Sequence, residues 1–570
     1  MTAPPLLDLS LSLPDDGRRP LRVDYAIEWA GPVGIPLEDE ITVQAACGIM
    51  HVHGRKSGIP EPLGVDYTSV TAGVLASQGA LAALVGRLRG MDLRRVTTSV
   101  AQAALLSVAQ YLAAATADDD WAEPMRPGGP PFTSADGVRF EIETFDADRW
   151  RRFWAFLDAD ETATRRGWLP FQHRYATATC PLPDELHQAA GRSRFAALAA
   201  VATAAGVSIL QLRDVTERST GLPPWRITAI PGSTPAVPLP GPPTLAQLPL
   251  EGLVVVESCR RLQGPLACHI LRLLGARVIR IEPPGGDLLR GMPPMVGDCS
   301  ARFLALNRGK HVVEIDLKSP AGRRAVQELV AGADVFVHNW APGKAAQLEL
   351  DAGHLAAVRP GLVYAYASGW GDALGPQPPL GTDFMVQAYS GLAAMVRPSD
   401  QPPAPSLMTL TDVLGGLVCA QGVLAGLVDR IRTGSGQRVD SSLLSAATVL
   451  QQPAEDAESP PGRPVWTPLH RPLATSDGYL ALSSRARREP ARVAAACGVG
   501  HRGEWSRFEA IAACCRQEPS QTWVERLRDA GLGSVVVCTD LVALAADPRF
   551  AAALQHDGCT FVHAPWEFSE

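Results

Sequence analysis

LEGLVVVESCRRLQGPLACHILRLLGARVIRIE, residues 250–282, decides the fold class of this chain. The apolar run at residues 253–256 predicts a strand, the helical pattern through Leu274 predicts a helix, and residues 277–281 predict a second strand. A strand, a helix and a strand within about 30 residues indicate a parallel sheet, because parallel strands need a long crossover connection.

Further α/β signals continue to about residue 370. Residues 316–331 predict a helix entered through Ser319-Pro320, and residues 335–337 and 362–366 predict two short strands. We therefore expect an α/β fold with a doubly wound parallel sheet in residues 250–440 and a smaller α+β domain in residues 441–570. The proline-rich residues 231–249 predict a linker that separates this unit from residues 1–230.

An internal repeat connects the two sides of this linker. GVLASQGALAALVGRLR (residues 73–89) matches GLVCAQGVLAGLVDRIR (residues 416–432) at nine of seventeen positions, with an offset of 343. At the same offset, EITVQAACG from Glu40 faces DFMVQAYSG from Asp383, and two weaker matches follow in order. We therefore expect residues 22–230 to be a duplicated, partial copy of residues 365–570 that lacks the doubly wound segment.

Composition excludes several classes of function. The chain has 52 basic and 59 acidic side chains, so we expect no nucleic-acid partner. Its eleven cysteines include no C-x-x-C pair, so we predict neither a disulfide framework nor a metal site, and a cytoplasmic location. The absence of an apolar leader or a continuous run of eighteen apolar residues predicts no membrane association. Without G-x-G-x-x-G after the first strand, a dinucleotide cofactor is disfavoured.

Several blocks in order resemble the class III CoA-transferase family of the CaiB/BaiF type. They are residues 250–282, LNRGKHVVEIDLKSPAGR (306–323), ADVFVHNWAPG (333–343), RPGLVYAYASGWG (359–371) and DFMVQAYSG (383–391). The N-terminal copy is similar to the second half of the same family. This resemblance implies binding of an acyl-CoA, transfer of CoA to a small carboxylic acid, and no tightly bound cofactor, because CoA is the substrate. It also implies interlocked dimers, so we expect either a homodimer or an intramolecular pseudo-dimer.

Candidate ligands for the phosphates of CoA are cationic or amide side chains near strand ends and helix starts. These positions lie on the side where α/β sheets bind ligands. The candidates are Asn307, Arg308, Lys310, Lys318 and Asn339.

The resemblance assigns the nucleophile to Asp412 in SLMTLTDVLGG. Attack of a carboxylate on a thioester gives a mixed anhydride, and the glycine-containing helix start would supply backbone donors. Asp383 is the second acidic candidate. For Asp412 and Asp383 alike, the alternative is a helix N-cap. Racemases that resemble this family carry histidine at the position of Thr382, so racemisation is disfavoured unless a Glu or His from elsewhere replaces it.

Two alternatives to CoA transfer stay open, namely an acyl-CoA isomerase, racemase or lyase that uses paired acidic residues, and a non-catalytic acyl-CoA-binding protein. In the N-terminal copy, Glu40 faces Asp383 and Asp66 has a setting like that of Asp412, although at an offset of 346. We expect this copy to be degenerate. Two departures from the family pattern are Pro283, where an arginine is common, and residues 454–472, which replace a glycine-rich lid.

Overall fold

The computed structural model describes residues 7–13, 21–119, 125–217, 221–231, 239–452, 462–500 and 503–570. Part of the predicted linker (residues 232–238) and part of the predicted lid (residues 454–461) lie outside these ranges.

The region before the linker contains seven strands and nine helices in its described part. The strands are β1 (Leu7–Leu13), β2 (Leu21–Glu28), β3 (Arg95–Ser99), β4 (Phe132–Thr133), β5 (Arg139–Glu143), β6 (Ser208–Gln211) and β7 (Trp225–Ala229). The helices are α1 (Glu40–Ala46), α2 (Ile49–Gly54), α3 (Tyr67–Leu88), α4 (Val100–Ser107), α5 (Ala109–Ala115), α6 (Ala147–Phe156), α7 (Glu161–Thr177), α8 (Asp184–Gly191) and α9 (Phe195–Ala205).

The region after the linker alternates strands and helices and then ends in a second set of short strands. The strands are β8 (Val254–Ser258), β9 (Arg277–Glu282), β10 (Met295–Val296), β11 (Cys299–Ser300), β12 (His311–Glu314), β13 (Val335–His338), β14 (Val363–Ser368), β15 (Gln437–Ser442), β16 (Leu473–Ala474), β17 (Tyr479–Leu482), β18 (Ser534–Val536), β19 (Leu554–Asp557), β20 (Cys559–Val562) and β21 (Glu567–Ser569). The helices are α10 (Gln263–Leu273), α11 (Ala301–Asn307), α12 (Pro320–Ala331), α13 (Lys344–Gln347), α14 (Ala352–Val358), α15 (Asp383–Ser390), α16 (Leu392–Met395), α17 (Leu410–Thr433), α18 (Leu443–Leu450), α19 (Ser484–Arg488), α20 (Pro490–Ala496), α21 (Glu504–Cys515), α22 (Ser520–Asp529) and α23 (Leu541–Ala546).

The large sheet has the strand order β12-β9-β8-β13-β14-β15-β7. Its first six strands are parallel, and only β7 is antiparallel to its neighbour. Side chains alternate between two apolar layers, with Val255 packing among α10 and α17 and Val256 packing among α12 and α14. The α/β, doubly wound prediction is therefore confirmed, and the four predicted strands are β8, β9, β13 and β14.

The internal repeat is visible in the structure. The parallel pair β2 and β3 with helices α1 and α3 reproduces the parallel pair β14 and β15 with helices α15 and α17. We call residues 22–230 the first repeat and residues 365–570 the second repeat. Helices α3 and α17 lie against each other in the core, where the Gln78 side-chain amide donates to the Leu417 carbonyl at 2.6 Å.

Each repeat ends in a small lobe that packs on the other repeat. The first lobe (residues 132–213) has the sheet β4-β5-β6, and the second lobe (residues 473–538) has the sheet β16-β17-β18. The Arg213 backbone N–H of the first lobe donates to the Ala388 carbonyl of α15 at 2.9 Å. The Cys538 backbone N–H of the second lobe donates to the Ala45 carbonyl of α1, also at 2.9 Å. Ala45 and Ala388 are equivalent at the offset of 343, so the lobes are exchanged.

Strands also cross the predicted domain boundary. Strand β7 of the first repeat adds to the edge of the large sheet, where Ile227 pairs with Val439. Strand β21 at the end of the chain pairs with β3 of the first repeat. The regions predicted as separate N-terminal and C-terminal units are therefore interlocked.

Helices α3 and α17 are long and apolar enough to cross a membrane by length and composition alone. Within the protein, 72% and 83% of their apolar windows are buried, and the two helices pack against each other. Their hydropathy is accounted for by their place in the core.

Candidate functional site

A cavity of about 1150 Å³ lies at the carboxyl ends of the parallel strands. The segments that follow β8, β9, β13 and β14 line one side of it, as expected for a ligand site in a doubly wound sheet. The first repeat and its lobe line the other side with Gln110, Phe145, Gln172, His173, Tyr175 and Ala176. The exchange of lobes therefore builds one cavity from both repeats.

Asp412 lies in the first turn of α17 and lines this cavity with a half-buried side chain. Among the described residues, no hydrogen-bond donor contacts its carboxyl oxygens. Burial, followed by the charge of Asp383 and that of Glu143, raises the pKa of Asp412 well above its usual value, while the positive charge of Arg261 opposes this shift.

Asp383 is fully buried beside the start of α17 and is not part of the cavity lining. One carboxylate oxygen accepts hydrogen bonds from the Thr411 N–H at 2.6 Å, the Thr411 hydroxyl at 2.8 Å and the Asp412 N–H at 2.8 Å. The other oxygen accepts from the Gln387 side-chain amide. The carboxylate thus satisfies N–H groups at a helix start, as a cap does.

This geometry corrects two expectations. Asp383 is placed as a positioning residue that fixes the backbone of Asp412, and it does not face the cavity as a catalytic acid or base. The backbone donors of residues 411 and 412, expected to stabilise an oxyanion, are occupied by Asp383. The glycines of α17 serve close packing instead, because a Cβ on Gly416 would lie 2.7 Å from the Gln263 carbonyl oxygen of α10.

The first repeat contains the same arrangement of hydrogen bonds. The buried Glu40 carboxylate accepts from the Thr68 N–H at 2.9 Å, the Ser69 N–H at 2.8 Å and the Gln44 side-chain amide at 2.8 Å. At the offset of 343, Ser69 is the counterpart of Asp412. The suggested equivalence of Asp66 with Asp412 is therefore wrong, because Asp66 precedes α3 at the position of Thr409.

Glu143 of the first lobe lies next to Thr382. It is therefore a candidate for the Glu or His that racemisation would need in place of a histidine at position 382. Its carboxylate accepts from the Thr382 hydroxyl at 2.8 Å and pairs with the fully buried Arg174 at 3.1 Å. The Tyr175 hydroxyl donates to the same oxygen. The Thr144 backbone N–H donates to the other carboxylate oxygen at 3.0 Å, so Glu143 is held by four partners, and it is not part of the cavity lining.

The predicted CoA ligands have different positions. Asn339 lines the cavity, and its amide pairs with the backbone N–H and carbonyl of Arg260 at 3.0 and 2.8 Å. The other four residues lie outside the lining of the cavity, as far as the structure describes it. Lys318 is exposed beyond strand β12.

Lys310 is the clearest correction among these ligands. Its buried ammonium contacts the Glu257 carboxylate at 2.7 Å, the Pro265 carbonyl at 2.8 Å and the Asn307 side chain at 2.9 Å. These partners use all three N–H donors of the lysine. Lys310 and Asn307 therefore stabilise the sheet edge and do not reach a ligand. Arg308 likewise points away, donating to the Val562 carbonyl at 3.0 Å.

The sequence prediction missed three arginines that line the cavity, Arg260, Arg261 and Arg302. Arg260 and Arg261 directly follow β8, so the rule that ligands bind at strand ends could have found them. Arg302 lies in α11 and is buried, and its guanidinium donates to the Ala176 carbonyl of the first lobe. Burial lowers the pKa of Arg302 to about 9.

A buried group of potential metal ligands lies at strand β8 and helix α10. Glu257, Cys259 and Cys268 have ligand atoms within 4.8 Å of one another. Glu257 already pairs with Arg280 and Lys310, whose positive charges oppose binding of a cation there.

Comparison with known proteins agrees with this geometry. A family model described as CoA-transferase family III matches residues 36–221 and 250–554. A succinyl-CoA:glutarate CoA-transferase from Mus musculus is 35% identical over 246 residues, which cover 41% of this chain and 56% of the relative. An acetyl-CoA:oxalate CoA-transferase from Acetobacter aceti is 38% identical over 210 residues, which cover 36% of this chain and 54% of the relative. The chain thus spans little more than half the length of these relatives.

A crystal structure of a CAIB/BAIF family protein from Brucella suis is similar to this chain. Its TM-score is 0.50 at 27% sequence identity, and the match covers 57% of this chain and 93% of that protein. The family model matches most of the chain, in two segments that correspond to the two sides of the linker. The chain belongs to CoA-transferase family III.

Proposed function

We propose that the protein transfers CoA from an acyl-CoA to a carboxylic acid, with Asp412 as the residue that temporarily carries the acyl group. The position of the Asp412 carboxyl carries the proposal, because it faces the cavity without a hydrogen-bond donor among the described residues. The names of the relatives, which act on glutarate or oxalate, support a small acid as acceptor.

The reaction begins with attack of an Asp412 carboxylate oxygen on the thioester carbonyl. A C–O bond forms, the C–S bond breaks, and CoA leaves as the thiolate, which gives a mixed anhydride. The thiolate then attacks the aspartyl carbonyl, which releases the donor acid and leaves CoA on Asp412. The acceptor carboxylate then attacks the carbonyl of the aspartyl-CoA thioester, which releases the CoA thiolate and forms a second mixed anhydride. The thiolate attacks the acceptor's carbonyl in this anhydride, so that a new acyl-CoA leaves and the Asp412 carboxylate is restored. Atoms and charge balance without an added oxidant, reductant or proton.

The position of Asp383 favours transfer over isomerisation. Inversion or proton shift beside a thioester needs one group that removes a proton and another that returns it. The Asp383 carboxylate is buried under α17 with both oxygens bonded, and Glu143 pairs with Arg174. Transfer needs only the Asp412 carboxylate.

Trapping the acylated enzyme tests this proposal. The protein is incubated with glutaryl-CoA, succinyl-CoA or acetyl-CoA, treated with hydroxylamine or borohydride, and digested for peptide mass spectrometry. We expect the hydroxamate or the reduced alcohol at Asp412, and no adduct in Asp412→Asn. An unmodified Asp412 together with solvent deuterium at the α-carbon of the acyl group would instead indicate isomerisation.

We also propose that the first repeat takes the place of a partner subunit. Equivalent hydrogen bonds at Ala45 and Ala388 support this proposal, as does the first lobe, which lines the same cavity as Asp412. Light scattering should give an active monomer near 60.5 kDa with one acylated aspartate per chain. Activity confined to a homodimer that is lost on dilution would contradict it.

A further inference from the structure

Arg261 is a cation at the reacting end of the cavity. It lines the cavity together with Asp412, and its positive charge opposes the rise in the pKa of that carboxyl. Within the described part of the chain, no carboxylate pairs with its guanidinium. Its carbon Cζ lies 3.4 Å from the centroid of the Phe145 ring, which belongs to the first lobe. The planar guanidinium is therefore held by stacking while its N–H donors stay available.

The backbone of Arg261 is in a conformation that a non-glycine residue adopts only at a cost. Its φ angle is +68°, in the left-handed region. The neighbouring residue is fixed, because the Asn339 amide holds both backbone polar groups of Arg260. Strain that is kept at a cavity wall, where glycine would relieve it, points to a use for the side chain.

The location of Arg261 distinguishes it from a ligand of the CoA phosphates. The phosphates lie at the far end of the pantetheine arm from the sulfur, whereas Asp412 must contact the thioester itself. Arg261 lines the same cavity as Asp412 and stacks on Phe145, so we infer that it lies beside the acyl group of a bound thioester. A carboxylate carried by the acyl group remains charged in the thioester, the anhydride and the free acid alike. A fixed guanidinium complements such a group at every step.

We propose that Arg261, stacked on Phe145, binds the second carboxylate of the acyl group, so that the preferred substrates are thioesters of dicarboxylic acids. This proposal rests on the proposed CoA transfer for its biological meaning. The binding that it describes does not require the transfer to occur. A dicarboxylate would otherwise place a negative charge near Asp412, and Arg261 offsets that repulsion.

The test compares two thioesters of equal chain length on Asp412→Asn, which cannot form the aspartyl adduct. Calorimetry with glutaryl-CoA and pentanoyl-CoA measures what the second carboxylate contributes, because both ligands share the CoA part. We expect glutaryl-CoA to bind at least tenfold more tightly. Adding Arg261→Gln should weaken the binding of glutaryl-CoA and leave that of pentanoyl-CoA unchanged, so that the ratio of the two dissociation constants comes close to one.

Two further variants control for structure. Arg277→Gln removes an exposed arginine at the opposite end of β9 and should keep the ratio. Arg261→Gly removes the guanidinium, so the variant should lose its preference for glutaryl-CoA over pentanoyl-CoA. Because glycine also relieves the backbone strain, the unfolding temperature should not fall. Three outcomes would each overturn the proposal. They are equal affinities for glutaryl-CoA and pentanoyl-CoA before Arg261 is changed, a ratio of dissociation constants that is unchanged in Arg261→Gln, and no binding of either thioester. An Arg261-dependent ratio with no trapped adduct in the native protein would leave it standing and refute the transfer.

Discussion

Ser69 occupies in the first repeat the position that Asp412 occupies in the second. The backbone N–H of each residue donates at 2.8 Å to a buried carboxylate. This carboxylate is Glu40 at the start of α1 in the first repeat and Asp383 at the start of α15 in the second. The chain therefore has two copies of this backbone support, and only the second copy carries a carboxyl side chain at the supported position. The first repeat contributes its architecture and its lobe to a cavity in which the carboxyl that we propose as the nucleophile belongs to the second repeat.

Substitution of these two residues should lower activity at Asp412 but not at Ser69. We expect Asp412→Ser to lower kcat for CoA exchange by at least about a thousandfold, because a serine without an adjacent base is a poor nucleophile. The Ser69 hydroxyl also donates to Glu40 at 2.6 Å, so Ser69→Ala should leave kcat within about twofold while removing one hydrogen bond worth roughly 1 kcal/mol of stability. Exchange of labelled acid into acyl-CoA measures both. Loss of activity in Ser69→Ala would contradict a purely architectural first repeat.

Asp383 should matter for stability as well as activity. Asp383→Ala leaves the buried donors of Thr411, Asp412 and Gln387 without their acceptor, so we expect a loss of about 3 kcal/mol in unfolding free energy. Denaturant unfolding measures this loss, and kcat should fall because the backbone of Asp412 is released.

Glu40→Ala provides the matched control for that variant. It removes an equivalent set of hydrogen bonds in the first repeat and should cost a similar free energy of unfolding. Its effect on kcat per folded molecule should be much smaller, because no cavity residue is attached to that helix start. Equal losses of kcat in both variants would refute the positioning role of Asp383.

The sheet and the repeat could be predicted from the sequence because their signals are local. Apolar runs of three to five residues indicate strands that are buried on both faces, and the repeat is found by direct comparison of two segments. The sequence comparison paired Asp66 with Asp412 because both are aspartates, although this required an offset of 346 instead of 343. The hydrogen bonds of Glu40 and Asp383 follow a constant offset of 343 and identify Ser69.

The partners of buried charges could not be predicted in this way. The sequence predicts Lys310 near a strand end or a helix start, whereas in the structure it follows helix α11 and precedes strand β12. Only the fold brings Glu257 of β8 within 2.7 Å of its ammonium. Phe145 and Tyr175 line the cavity because the lobes are exchanged, and no local pattern encodes contacts between residues more than 200 positions apart.

The ionisation of Asp412 predicts a pH-dependent gain in stability for Asp412→Asn. Unfolded, this carboxyl titrates near its usual pKa of about 3.9, whereas burial raises its pKa in the folded protein. The folded state holds the proton more tightly, so the stabilisation from this group is complete below about pH 3.9 and is lost as the pH rises through the raised pKa. Asparagine stays neutral and avoids that loss.

Unfolding free energies of both proteins between about pH 5 and pH 8 test this prediction. The advantage of Asp412→Asn should grow with pH and reach roughly 1 kcal/mol or more at the upper end. Asp372→Asn, which changes a fully exposed carboxylate, should give no such trend. An advantage that shrinks as the pH rises would mean that the pKa of Asp412 is lowered by folding.

The buried ion pair of Glu143 and Arg174 should stabilise the first lobe and hold Glu143 in place for its contact with Thr382 of the second repeat. Arg174→Met leaves Glu143 as an unpaired buried charge beside Thr382, so we expect a loss of about 3–5 kcal/mol in unfolding free energy. Arg438→Met removes an exposed pair with Asp440 and should cost less than about 1 kcal/mol. Chemical denaturation distinguishes the two, and similar losses would show that the buried pair has no special role.

The interlocked repeats predict that residues 250–570 cannot fold productively alone. This fragment would lack β3, which pairs with β21, and would expose the apolar surface of α17 that packs against α3. We expect it to aggregate when produced alone. Produced together with residues 1–249, it should form a soluble complex that exchanges CoA, because the fragments recreate the lobe contacts at Ala45 and Ala388.

Co-purification through a tag on the shorter fragment measures this complementation, and the intact chain gives the reference activity. Asp412→Ser in the longer fragment should abolish exchange without preventing assembly, because the side chain of Asp412 faces the cavity and not the other repeat. Glu143 and Arg174 lie on the shorter fragment, so Arg174→Met should weaken assembly before it affects chemistry. Were residues 250–570 alone soluble and active, the first repeat would be dispensable for the site, and the exchanged lobes would need another explanation.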